Sequence, residues 1–101
     1  MVYEIVWTSK ALTSYINNIK YLQDKWTEKE VSNFIYEVEK KLNTLAGQPL
    51  IGIIRSKRYT SIRQTVINKR VLLIYRVKTS AKKIELLRFW NTYQDPRKLS
   101  V

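Results

Sequence analysis

The 101-residue sequence contains no cysteine, no histidine, two glycines and two prolines. Without thiols it forms neither disulfides nor thiolate metal sites, and without imidazole it lacks the commonest metal ligand and proton shuttle. No metal and no other cofactor are expected, and any catalysis must draw on Lys, Arg, Tyr, Asp or Glu. Gly47 and Gly52 are the only glycines, which excludes a glycine-rich phosphate loop of the Walker or dinucleotide-binding kind. Long apolar runs are missing too. The longest, Val71 to Tyr75, falls far short of the ~20 residues of a membrane span. Met1 to Trp7 lacks the basic start, apolar middle and cleavage site of a secretory signal. A cytoplasmic chain with no membrane partner is the expectation. No stretch reads as a linker or a repeat, so residues 1–101 are taken as one domain.

Acidic side chains are scarce in one half only. Residues 1–50 hold six Lys and six acids, whereas residues 51–101 hold thirteen Lys or Arg against Glu85 and Asp95 alone. The net charge of +11 therefore belongs to the second half. A merely solubilising surface could carry the same total, but this concentration favours a polyanionic partner. The same scarcity leaves no carboxylate pair for metal-dependent or glycosidase chemistry.

What is present reads as strand, two helices and three strands. Val2 to Trp7 is rich in β-branched and aromatic residues, as a strand requires. Thr8 or Ser9 caps a following helix with an apolar stripe of Leu12, Tyr15, Ile16, Ile19, Leu22 and Trp26. Thr27 and Glu30 have capping-box spacing and open a second helix, with Val31, Phe34, Ile35, Val38, Leu42 and Leu45 as its stripe. Lys40 and Lys41 come late in it, matching the helix dipole, and Gly47 and Pro49 stop it. Leu50 to Thr60 reads as a loop or the start of a strand. Ser61 to Ile67, Arg70 to Lys78 and Lys83 to Asn91 then read as strands joined by short turns. The expected fold is α+β, in the order β-α-α-β-β-β, with a helical hairpin on one face of an antiparallel sheet. Strict alternation puts apolar residues on both faces and groups Arg88 with Ile84, Leu86 and Trp90. The helices cover one face, so the other is expected to expose a mixed apolar and basic surface to a partner.

Arg63, Arg70, Arg76 and Arg88 are expected to converge on that uncovered face, with Arg55, Lys57, Arg58 and Lys69 at its rims. Guanidinium forks bind phosphate in bidentate fashion and stay charged at any working pH. Cross-strand register does not follow from sequence, so about half of these eight are expected to be ordinary surface charges. Tyr93, beyond the last strand, could stack on a base or bond a phosphate. Trp90 is expected to pack, and Tyr15, Tyr21, Tyr36 and Tyr75 are assigned no chemistry.

Taken together, Ile5 to Leu12, Tyr21 to Thr27, Leu45 to Pro49, Gly52, Arg63, Arg70 to Val77, Ile84 to Trp90 and Asp95 to Leu99 resemble the RelE/ParE superfamily of bacterial toxins. The resemblance spans nearly the whole chain and lies in the order and spacing of these pieces. It implies a type II toxin neutralised by a cognate antitoxin whose acidic segment covers the basic sheet face. A homodimer or a toxin–antitoxin hetero-oligomer is also implied.

Two branches of the superfamily differ in target. ParE-like members inhibit DNA gyrase, and Arg88 to Lys98, including Arg97 and Lys98, would then carry the contact. RelE-like members cleave mRNA on the ribosome. In that case Arg63 and Arg88 would stabilise the phosphorane, Arg70 would grip the backbone, and Tyr93 or Lys57 would move protons. Leu72 stands where RelE-like nucleases present an Arg, and the ParE-like branch is the better match. A basic nucleic-acid-binding module without toxicity explains the charge but not the full-length resemblance.

Overall fold

The computed structural model describes residues 2–25, 27–55, 57–59, 61–68 and 71–92. The elements run β1 (Glu4–Trp7), α1 (Ser9–Lys25), α2 (Glu28–Gly47), β2 (Ile53–Ile54), β3 (Ile62–Val66), β4 (Val71–Lys78) and β5 (Lys83–Asn91). They build one five-stranded sheet in the order β1-β5-β4-β3-β2. The expected α+β layering is present, with two additions. β2 is a two-residue strand in the segment read as a loop or strand start. β1 pairs with β5 in parallel, while every other ladder is antiparallel. Parallel neighbours need a long connection, supplied here by the helical hairpin and the strands that follow it.

Local chemistry sets the helix ends. Thr8 Oγ1 accepts the Ala11 amide at 3.1 Å, so Thr8 rather than Ser9 caps α1. Thr27 does the same for α2 by accepting the Glu30 amide at 3.3 Å. α2 runs through Gly47 and ends at Gln48, whose N–H reaches the carbonyls of Thr44 and Leu45. Lys40 and Lys41 therefore lie inside the helix and not in its last turn.

The core joins Ala11, Leu22, Phe34, Val38 and Leu45 of the helices to Val71, Leu73, Tyr75, Val77, Ile84, Leu86 and Phe89 of the sheet. Each large side chain so enclosed stabilises the fold by about 1.5–3 kcal/mol. The buried stripe of α1 is rotated from the expected one. Leu12 and Ile16 are exposed, and Asn18 is buried in their place. Trp26 of that stripe lies outside the described residues. Asn18 is inside because β1 stops at Trp7 and leaves the edge of β5 without a strand, and its Nδ2 donates to the Phe89 carbonyl there at 3.1 Å.

A bulge corrects the alternation expected for β5. Tyr75 stands opposite Leu86 and Ile74 opposite Arg88, so Leu87 is an extra residue in the ladder. Ile84, Leu86 and Phe89 thereby share the helix-covered face, and Arg88 and Trp90 turn to the other. One added residue reverses every later side chain in a strand.

Candidate functional site

The register defines the second face of the sheet. One row runs Ile62, Arg76, Glu85 and Val6, and the next runs Ile53, Gln64, Ile74 and Arg88. Arg55, beside Ile62 at the β2 end, donates from Nη1 to Gln64 Oε1 at 2.7 Å. Arg55, Arg76 and Arg88 thus belong to this face. Glu85 lies between two cations, 3.7 Å from Arg76 Nη1 and 3.3 Å from Lys78 Nζ. Exposed ion pairs of this kind contribute about 0–1 kcal/mol, so the two cations remain available to a partner anion.

The centre of this face is not bare, contrary to expectation. Ile74 and Ile62 are buried. Gln64, Arg76 and Arg88, their ladder partners, are half-buried, as is Leu72 on the same face. Apolar exposure is concentrated at the β2–β3 edge, where Ile53 is 65% and Val66 54% exposed.

Arg63 does not join the other arginines. It pairs with Tyr75 in the ladder and so projects to the helix-covered side. There its Nη1 donates to the Gly52 carbonyl at 2.6 Å and the Leu50 carbonyl at 3.3 Å. Tyr75, to which no chemistry was assigned, completes this clamp. Its hydroxyl donates to the Pro49 carbonyl and accepts the Gly52 amide, both at 3.0 Å. Burial pushes the phenol above its ordinary pKa of 10.0, opposed by the Gly52 bond and the nearby Arg63 charge. A Cβ on Gly52 would meet the Tyr75 hydroxyl and stand 2.7 Å from the Gln64 carbonyl oxygen. One signal for this clamp was in the sequence: a tyrosine in a central apolar strand needs a partner for its buried hydroxyl.

Of the remaining candidates, Lys57 and Arg58 are exposed between β2 and β3, with the Arg58 guanidinium over the Tyr59 ring at 5.4 Å. Lys69, Arg70, Tyr93, Arg97 and Lys98 lie outside the described residues. Among the described residues no cluster of acids could hold a metal ion, and no helix is long and apolar enough to cross a membrane.

The sequence matches, over residues 5–96, the model of the ParE toxin of the type II toxin–antitoxin system parDE. The chain belongs to the ParE toxin family. This ParE-family toxin has the α+β fold expected of the RelE/ParE superfamily, which solved structures share. It is similar to a chain of the chromosomal ParDE system of P. aeruginosa, with a TM-score of 0.70 and 16% identity over 89% of this chain and 96% of that one. A chain of the toxin–antitoxin complex RelBE2 from Mycobacterium tuberculosis gives 0.63 and 16% identity over 90% and 99%. The YoeB/ParE toxin from Agrobacterium tumefaciens gives 0.62 and 15% over 87% and 96%. Comparison with curated proteins finds no match.

Proposed function

We propose that this toxin arrests bacterial growth by inhibiting DNA gyrase in the cytoplasm and is held inactive by an acidic antitoxin. The carrying observation is the match to ParE over residues 5–96. The clamp supports the same reading. Arg63, a candidate for stabilising a phosphorane, has Nη1 bonded to two backbone carbonyls. An inhibitor needs a contact surface and no arginine kept free for a phosphorane. The antitoxin's acidic segment would lie across Arg55, Arg76, Lys78 and Arg88 and place apolar side chains on Ile53 and Val66. The relatives from P. aeruginosa and M. tuberculosis, described as toxin–antitoxin systems, support a hetero-oligomer of this kind.

Expression of this chain alone in bacteria should stop growth, and co-expression of an acidic protein encoded beside it should restore growth. Harmless expression at confirmed soluble levels contradicts the proposal. The second reading, ribosome-dependent mRNA cleavage, draws on Arg76 and Arg88 lying on one face. Cleavage of mRNA by purified protein and ribosomes would put it first.

A further inference from the structure

Arg88 also belongs to a feature that the toxin reading leaves unused. Together with Ser9, Lys10, Thr13, Ser14 and Asn17 of α1 it lines an open groove of about 480 Å³ where the helix runs along the edge of β5. Ser9, Thr13 and Asn17 recur every four residues and so line one side of the helix at intervals near 5.4–6 Å. The bulge at Leu87 sets the face of the sheet on which Arg88 stands.

We propose that this α1–β5 groove binds the phosphodiester backbone of nucleic acid, with Arg88 and Lys10 as its cations and the hydroxyl and amide groups of Ser9, Thr13 and Asn17 as its neutral donors. Among the described residues its lining holds no carboxylate and no aliphatic side chain. Asp24, the one acid of α1, lies near the other end of the helix. An amphipathic antitoxin segment needs apolar anchors as well as charge. Leu12 and Ile16, the exposed apolar side chains of α1, are not among its lining residues, and Ile53 and Val66 of the open sheet face lie at the opposite edge of the sheet. Cationic forks with neutral donors around them are the usual equipment for gripping phosphate without reading bases. The groove goes beyond the gyrase reading and does not depend on it, so its test is binding and not growth arrest.

The probe is a fluorescein-labelled duplex DNA oligonucleotide, titrated with the purified full chain at several salt concentrations and followed by anisotropy. The double variant Lys10→Gln/Arg88→Gln should bind about tenfold or more weakly, and its log–log salt slope should fall by about 1.8, two phosphate contacts' worth. Lys29→Gln, an exposed lysine of α2, should change neither by as much. Because Arg88 variants could perturb β5, a second measurement uses the unaltered chain. Backbone amide NMR shifts on adding the oligonucleotide should centre on residues 9–17. Absence of binding by the unaltered chain overturns the proposal. So does an equal loss in Lys29→Gln, or shifts centred elsewhere. An acidic peptide that moves these amides when the oligonucleotide does not would assign the groove to a protein partner, and that too overturns it.

Discussion

Ser14 Oγ accepts the Phe89 backbone N–H at 2.9 Å, so a helix side chain occupies an edge position that a neighbouring strand would normally fill. The same hydroxyl donates to the Ala11 carbonyl at 2.9 Å. Thr8 Oγ1 bonds the Leu86 carbonyl at 2.6 Å, and Asn18 bonds that of Phe89. Three side chains of the segment after β1 thereby take over the edge of β5 where β1 ends.

Removing these bonds strands buried backbone groups. Ser14→Ala and Asn18→Ala should each lower stability by about 1–3 kcal/mol, the cost of an unpaired buried donor or acceptor. Urea denaturation measures it. A change within error of zero for both would mean that the edge is satisfied in some other way.

The clamp on the loop after α2 predicts an intolerant glycine. Gly52→Ala should cost about 1–3 kcal/mol, because the added methyl meets a tyrosine hydroxyl and the Gln64 backbone carbonyl oxygen. With Tyr75→Phe the two losses should be less than additive, since the hydroxyl is one of the two obstacles. Denaturation midpoints of the two single variants and the double variant form the cycle that checks this.

Alkaline pH should weaken the fold. The phenols of Tyr75 and Tyr15 are both raised above 10.0, Tyr75 by burial and Tyr15 by burial and then the Glu39 charge. A raised phenol favours the folded chain in full below the unfolded value. That contribution is lost as pH climbs past 10.0 toward the folded value, because the unfolded chain releases its proton first. Phenolate absorbance should show a late-titrating fraction in the folded chain that Tyr75→Phe reduces.

Because Leu87 is the extra residue of the bulge, its deletion should leave the remaining side chains of β5 on their present faces. Deleting Glu85 instead should exchange the faces of one part of the strand. Circular dichroism and thermal melts should therefore find the first variant folded and the second unfolded or strongly destabilised.

Local chemistry was legible in the sequence where it acts within a few residues. The Thr27 cap, the two helices, the end of β4 and the bounds of β5 follow from patterns that tertiary contacts reinforce. What escaped is set across the chain. The parity of β5 is broken by one bulged residue, which no local pattern marks. The direction of Arg63 depends on its pairing with Tyr75, and the burial of Asn18 depends on β1 ending before Phe89. Arginine counts located the charge, and only the register sorted Arg76 and Arg88 from Arg63.

Purified chain added to DNA gyrase and supercoiled plasmid, with a parallel ribosome–mRNA reaction, bears most directly on the proposed role. Loss of supercoiling activity or gyrase-linked DNA breaks, with intact mRNA, is the expected result. Unimpaired gyrase beside cleaved mRNA would contradict it.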